Sequence, residues 1–317
     1  MKNKRTLWWI LGAVVLVVLA CGGLTFVGIL AALLSSGPTM GAGGAVAVVE
    51  VKGVITSGKG PRSLQSNVAY AENVREDLQA AENDPRVKAI VLEINSPGGG
   101  VVPSADIYRA LREMTKPVVA SMVDVGASGG YYIACGTDRI LVRPATITGS
   151  IGVIATFVNA AELLEKLGIS PQVVKTGRFK DQGSLYRPLT EEELAMLQTL
   201  LDEALDDFIQ AIVEGRGMPE ERVRRLATGR IFSGKQALEL GLVDGEGNLD
   251  DAIELAAELG HIRGKPQIIR YGPQAPTLLD LLMQAVNGPD PSAERAAAER
   301  LLEDLNRPGL QYLYIGP

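Results

Sequence analysis

Residues 124–136 read DVGASGGYYIACG and place a single serine, Ser128, among four glycines. A serine hydroxyl is a poor nucleophile until a neighbouring base takes its proton. The chain has one histidine, His261, in ELGHIRGKP at the end of a predicted helix, where a protonated imidazole has the ordinary role of stabilising the helix C-terminus. Ser128 therefore predicts nucleophilic chemistry only if another residue supplies the base.

A lysine can be that base if its amine is neutral at the working pH. Lowering its pKa from about 10.4 to about 8 disfavours the ammonium by roughly 3 kcal/mol, which burial in an apolar cleft can supply. Lys116, Lys166 and Lys235 fit solvated positions on helices or turns. Lys180 lies in TGRFKDQGS, directly after a predicted strand, where strand ends of α/β folds build sites. The residues leave two interpretations open: Lys180 is a general base, or its loop is an ordinary surface loop in which Asp181 makes an ion pair.

Two glycine-rich turns, NSPGGG at 95–100 and GASGG at 126–130, each follow a predicted strand and lead into a helix. Glycine lets a backbone approach another group closely, and a helix N-terminus presents unpaired N–H donors. Side by side, the turns predict an oxyanion hole for acyl transfer, built from the N–H of Gly129 and that of Gly98 or Gly99. The alternative is a pair of tight connections whose glycines have only a steric role.

The elements that must position these turns are short β-branched runs alternating with amphipathic stretches, which predict an α/β fold with largely parallel strands. Strands are predicted at 45–51, 88–94, 117–123, 139–144 and 171–177, and helices at 73–82, 104–114, 160–167, 191–214, 219–227, 234–240 and 250–259. The longest helix opens with a capping box from Thr190 to Glu193, and its apolar face is expected to pack on the sheet.

The composition excludes several classes of function. A net charge of −6, with no basic stretch beyond the first residues, argues against a nucleic-acid partner. Two cysteines, Cys21 and Cys135, exclude a disulfide framework and cysteine-based zinc sites. With a single histidine, most metal-hydrolase sites are also out of reach in one chain. No metal and no cofactor are expected.

The N-terminus predicts a membrane anchor. Residues 1–6 are basic, and residues 7–34 carry no charged side chain, which exceeds the roughly 20 apolar residues that span a bilayer. Basic residues stay in the cytoplasm, so the rest of the chain is expected on the other side of the membrane. A flexible tether follows at 35–44, a folded domain at 45–270, and a tail at 271–317 that either packs loosely or docks on a neighbouring subunit. The alternative anchor is a lipidated Cys21 in VLAC.

Five motifs resemble the signal peptide peptidase A family of bacterial membrane-bound serine proteases, in order and spacing. They are SPGGG, GASGGYYIA, TGSIGV, TGRFKDQGS and GRIFSGKQALELGLVD, and the similarity covers residues 45–260. The resemblance implies a Clp/crotonase-type fold with repeated ββα units after one transmembrane helix. It also implies a dyad of Ser128 as nucleophile and Lys180 as general base, with oxyanion donors in the backbone of Gly99 and Gly129.

The resemblance also implies partners and a location. In the short, single-copy form of the family, subunits assemble into a dome-shaped ring, an octamer, whose dyads combine the serine of one subunit with the lysine of its neighbour. The expected substrates are signal-peptide remnants and other hydrophobic peptides, cleaved on the extracytoplasmic side of the bacterial cell membrane. The C-terminal QYLYIGP also resembles the family's C-terminus, which in some members lies in the binding surface.

Two rival functions fit parts of the pattern. A crotonase-type acyl-CoA enzyme would use the same glycine turns to hold an enolate, but it would need a carboxylate base and no serine at 128. A non-catalytic membrane scaffold of the same fold would bind peptides without hydrolysing them.

Overall fold

The computed structural model describes residues 44–61, 67–272 and 311–313. Its strands are β1 (Ala45–Lys52), β2 (Val54–Thr56), β3 (Val68–Tyr70), β4 (Val87–Ser96), β5 (Gly98–Gly100), β6 (Val118–Ala127), β7 (Arg139–Val142), β8 (Ile147–Gly149), β9 (Ile231–Ser233), β10 (Gly245–Glu246), β11 (Gln267–Tyr271) and β12 (Gln311–Leu313). Its helices are α1 (Ala71–Asn83), α2 (Val101–Arg112), α3 (Gly129–Ala134), α4 (Ala161–Lys166), α5 (Glu191–Arg216), α6 (Glu220–Leu226), α7 (Gly234–Leu240) and α8 (Leu249–Leu259).

The main sheet is mixed and has the strand order β10-β7-β6-β4-β1-β11, with parallel pairing along this path. The short strand β8 pairs parallel with β6 and antiparallel with β9. A second sheet has the order β12-β5-β2-β3. Because β4 and β6 are parallel neighbours, their carboxyl ends share an edge, where Ser96 pairs with Gly126. This register places the two glycine turns side by side.

The first strand is buried on both faces. Ala47, Val49 and Val51 belong to one apolar cluster with α1 and α2, and Val46 and Val48 belong to a second cluster with α8. A strand covered on both sides shows no alternation of apolar and polar residues, which explains the continuous run AVAVVEV. This core holds the strand ends that carry the site.

Most predicted elements are confirmed within a few residues, but the predicted strand at 171–177 is wrong. The stretch pairs with no strand in the described residues, and its side chains are exposed, Val174 completely so. A β-branched run forms a strand only if another edge pairs with it and a core covers one face. The very short strands and α3 were missed because two to six residues are too few to show a period.

The longest helix packs differently from the prediction. Apart from Glu193, its buried residues all lie in the second half, where Phe208 meets the ring of Tyr132 on α3 edge-on, with 5.1 Å between centroids. In the first half Leu194, Met196 and Leu200 are exposed. The predicted capping box is confirmed, since the Thr190 side chain accepts from the Glu193 N–H and the Glu193 carboxylate accepts from the Thr190 N–H.

The predicted anchor at 7–34 lies outside the described residues, as do residues 1–6, which were predicted to be cytoplasmic, nearly all of the predicted tether at 35–44 and most of the predicted tail at 271–317. Among the described residues, every helix is too short or too polar to span a bilayer.

Candidate active site

Ser128 lies between the end of β6 and the start of α3, for which it is the N-cap residue. Its φ of 51° and ψ of −118° are unusual for a residue with a side chain. Conformations of this kind cost about 1–3 kcal/mol and persist only where the surroundings enforce them. Here the Ser128 N–H donates to the Gly149 carbonyl (2.8 Å), and its carbonyl accepts from the Tyr132 N–H (2.8 Å). The backbone therefore fixes the direction of the Cα–Cβ bond that carries the hydroxyl.

The hydroxyl of Ser128 is buried, with the residue 1% exposed. In the described part of the chain its Oγ has no hydrogen-bond partner. Buried polar atoms are nearly always paired, so an unpaired hydroxyl in a strained turn needs an explanation. A hydroxyl kept available for a reactant or an incoming base provides one.

The turn after β4 faces Ser128 from the neighbouring strand. Gly98 has a φ of +102°, which requires glycine, and its N–H donates to the Ser96 Oγ (3.1 Å). A Cβ built on Gly129 would lie 3.1 Å from the Gly99 nitrogen, so the two backbones are in direct contact. As the first residue of α3, Gly129 has an N–H without an intrahelical acceptor. The structure thus brings Ser128, Gly129 and Gly99 together.

Two buried serines that the sequence reasoning gave no role support this arrangement. Ser96 donates to the Gly53 carbonyl (2.7 Å) while accepting from the N–H of Gly98, and Ser104 donates to the Gly100 carbonyl (2.8 Å). Both serines are fully buried. A serine at the end of a buried strand, directly before a Pro-Gly turn, is the signal that could have identified Ser96.

Lys180 lies in a turn at 178–183, and its side chain is exposed. Since the Ser128 Oγ has no hydrogen-bond partner among the described residues, the two groups of the expected dyad are not joined within one chain. Lys180 makes no ion pair with any described residue, and its neighbour Asp181 pairs instead with Lys175 and Arg187. Asp181 thus forms the ion pairs that the surface-loop interpretation predicts, although its partners are Lys175 and Arg187 and not Lys180.

Other candidate groups in the described residues do not fit the chemistry. Lys116 is partly buried and not fully solvated as predicted: its ammonium donates to the carbonyls of Ala81 (2.9 Å) and Asp84 (2.8 Å), and burial lowers its pKa. Lys116 lies before the start of β6 and Ser128 lies after its end, so the ten-residue strand separates the two residues by roughly 30 Å.

Cys135 is also excluded as a nucleophile. Burial raises the pKa of its thiol to about 12, which leaves no thiolate.

A short strand of the chain itself lies beside the glycine turn at 98–100. The strand β12 pairs antiparallel with β5, with Tyr312 opposite Gly99 and Leu313 opposite Gly98. Peptide-binding proteins commonly add an extended peptide to an exposed strand edge in this way. The edge of β5 can therefore accept a peptide strand next to Ser128.

Comparison with known proteins decides the family. The family model described as Peptidase family S49 matches residues 110–263, and that of Clp protease matches residues 63–147. A candidate protease of Synechocystis is 42% identical over 216 residues, which are 68% of this chain and 74% of that protein. The chain belongs to peptidase family S49. It is a serine peptidase of the signal peptide peptidase A family, and its α/β fold with a mixed sheet is Clp protease-like.

Further relatives agree with this family. A candidate signal peptide peptidase SppA of Enterococcus faecium is 40% identical over 210 residues, which are 65% of this chain and 61% of that protein. Protease 4 of Salmonella typhi is 34% identical over 249 residues, 78% of this chain but only 39% of that longer protein. The S49 match contains Ser128 and Lys180, and the Clp protease match contains both glycine turns.

Proposed function

We propose that this serine peptidase is a membrane-anchored endopeptidase with a dyad of Ser128 and Lys180. Its substrates are signal-peptide remnants and other hydrophobic peptides, cleaved on the extracytoplasmic side of the bacterial cell membrane. The single observation that carries the proposal is the buried hydroxyl of Ser128, which has no hydrogen-bond partner among the described residues; Ser128 has a positive φ in one glycine turn and lies beside the other.

The proposed reaction passes through an acyl ester on Ser128, with Lys180 acting first as base and then as acid during acylation. As the Ser128 Oγ bonds to the scissile carbonyl carbon, the neutral Lys180 amine takes its proton. The carbonyl oxygen becomes an oxyanion and accepts hydrogen bonds from the N–H groups of Gly129 and Gly99. When the C–N bond breaks, the Lys180 ammonium gives its proton to the leaving amine. A water molecule, activated by the same amine, then hydrolyses the acyl ester and frees Ser128.

We further propose that Lys180 acts on the Ser128 of a neighbouring copy in a ring, which the resemblance implies is an octamer. Support comes from the exposed apolar side chains, most of which lie between residues 154 and 200, on both sides of Lys180. Val158, Leu167 and Val174 are more than half exposed, as is Leu194 on α5. Soluble monomers rarely expose contiguous apolar patches larger than a few hundred Å². A second copy covering this surface would also bury the lysine, which favours its neutral form.

The membrane anchor is proposed from residues 7–34, whose length and lack of charge fit a bilayer span. An anchored body on the extracytoplasmic side would meet hydrophobic peptides as they leave the membrane. The edge of β5 would bind these peptides as an extended strand, in the way that it pairs with β12.

The test uses the full-length chain in detergent with a hydrophobic peptide, comparing wild type, Ser128→Ala and Lys180→Ala. Both variants are expected to lose activity, and Lys166→Ala, which removes an exposed lysine of α4, is the matched control. Full activity in either dyad variant would refute the dyad. A fluorophosphonate probe should label Ser128 alone, whereas the scaffold alternative predicts no labelling and no cleavage.

Mixing the two inactive variants tests where the dyad forms. If Lys180 serves a neighbouring copy, a ring reassembled from equal amounts of both variants regains about a quarter of the wild-type activity, because a quarter of the contacts join an intact serine to an intact lysine. If the dyad formed within one subunit, the mixture would stay inactive.

A further inference from the structure

The loop that carries Lys180 is fastened by one arginine. Arg187 donates to both oxygens of Asp181, from Nε to Oδ2 (3.0 Å) and from Nη2 to Oδ1 (2.7 Å). It also donates to both oxygens of Glu193 on α5, from Nη1 to Oε2 (2.8 Å) and from Nη2 to Oε1 (2.6 Å). Bidentate contacts fix direction as well as distance. We call Arg187 with Asp181 and Glu193 the carboxylate clamp.

Both carboxylates of the clamp are shielded from solvent. The side chains of Asp181 and Glu193 are 12% and 2% exposed. Asp181 also pairs with Lys175, whose ammonium donates to the Arg178 carbonyl (2.9 Å). The acceptor positions of Asp181 are thus occupied by two cations, although Lys180 is its immediate neighbour in the chain.

The charge balance around the loop follows from its contacts. Hydrogen bonds from Arg187 and Lys175 hold the pKa of Asp181 far below its usual range, and hydrogen bonds from Arg187 lower the pKa of Glu193 to about 2. Both are therefore ionised at neutral pH. The remaining charged groups of the loop and of the first turn of α5 are Arg178, which pairs with Glu192, and the exposed Glu191.

We propose that Arg187 is a positioning residue for Lys180, which it serves by holding Asp181 away from the lysine amine. This inference rests on the proposed role of Lys180 as general base. The base must be neutral, and a carboxylate within about 4–6 Å of it would stabilise the ammonium and raise its pKa by about 1–3. A lysine followed directly by an aspartate has such a partner within reach unless another cation binds it first. The clamp does so and also fixes the turn to α5.

The proposal is tested by the pH profile of kcat/KM for a hydrophobic peptide, measured with the full-length chain in detergent. The acid limb of that profile reports the base of the free enzyme. In Arg187→Gln, Asp181 keeps Lys175 as its only ion-pair partner among the described residues and can also pair with Lys180, so the acid limb should move to higher pH. For every pH unit that the limb moves, activity on its acid side should fall about tenfold. At a pH above the acid limbs of both wild type and Arg187→Gln, the variant should regain much of its activity.

A double variant separates charge from structure. In Arg187→Gln/Asp181→Asn the released carboxylate is gone, so the acid limb should return towards the wild-type position. If Arg187 only stabilised the fold, the double variant would be as impaired as the single one at every pH. Arg187→Lys, which cannot bind both carboxylates in bidentate fashion, should move the limb less far and serves if Arg187→Gln does not fold.

The matched control is Arg224→Gln, which removes another arginine that bridges two carboxylates, Asp206 and Glu220. Its pH profile should equal that of wild type. An unchanged acid limb in both Arg187→Gln and Arg187→Lys, with Lys180→Ala inactive, would overturn the positioning role and leave the dyad intact. Full activity in Lys180→Ala would instead overturn the proposed function itself.

Discussion

Replacing Gly129 with alanine should lower kcat strongly while leaving substrate binding nearly intact. The backbone of Gly129 is helical and available to alanine, so the effect comes from space alone. The added Cβ would lie 2.7 Å from the Ser104 Oγ, 3.1 Å from the Gly99 nitrogen and 3.2 Å from the Gly98 Cα. The methyl group would therefore press between the two proposed oxyanion donors.

The neighbours have little freedom to move. The Ser104 hydroxyl is fully buried and bonded to the Gly100 carbonyl at 2.8 Å, and Gly99 belongs to the paired strand β5. Relieving the contact must shift the backbone of Gly99 or of Gly129, which misdirects at least one N–H. Loss of one oxyanion donor costs about 3–4 kcal/mol, or about 100- to 1000-fold in kcat. The overpacking itself should cost about 1–3 kcal/mol of unfolding free energy.

The assay is steady-state cleavage of a hydrophobic peptide by the full-length chain, with kcat and KM determined separately and thermal denaturation as a check on folding. Gly152→Ala is the matched control, because a Cβ there makes only ordinary contact, 3.4 Å from the Gly229 Cα. Its kcat should stay within about twofold of wild type. A folded Gly129→Ala protein that keeps kcat within about twofold would show that its N–H does not stabilise the transition state.

Three more perturbations concern contacts in the same region. Ser128→Gly should be inactive but more stable than Ser128→Ala by about 1 kcal/mol, because glycine relieves the positive φ, and thermal unfolding of the two variants tests this. Deleting residues 311–317 should lower KM for peptides at least about twofold, since β12 occupies the edge of β5, and an unchanged KM would contradict competition. Glu193 has a folded-state pKa of about 2, lowered from 4.5 chiefly by Arg187, so its stabilising contribution is present above pH 4.5 and lost as the pH falls towards 2. Acid unfolding of Glu193→Gln should accordingly be less steep over that range.

Local patterns predicted the parts of the fold that depend on local residues. The buried runs became β1, β4, β6 and β7 because β-branched residues covered on both faces have few other stable arrangements. Helices with a capping residue begin directly after it, as α5 begins after the N-cap residue Thr190. The predicted strand at 171–177 was wrong because strand formation depends on a partner edge that the described residues do not supply.

Some features of the candidate site could likewise be predicted from local sequence, and others could not. The residue types of the two glycine turns, and their position after parallel strands, are properties of the sequence, so the expectation that they meet could be made from it. The orphaned hydroxyl of Ser128, the hydrogen bonds of Ser96 and the contact between Gly129 and the Gly99 nitrogen depend on the register of β4 against β6. Register is a long-range property that local patterns do not encode.

The nucleophile candidate, the scarcity of alternative bases and the α/β class could all be read from the amino-acid chain, because they depend on which residue types are present and how they are spaced. The exposed position of Lys180 on its own chain and the pairing of Arg187 with Asp181 emerged only from the folded molecule. Charge pairing and burial depend on distances between segments, and these distances are set when the loop at 175–187 packs against α5.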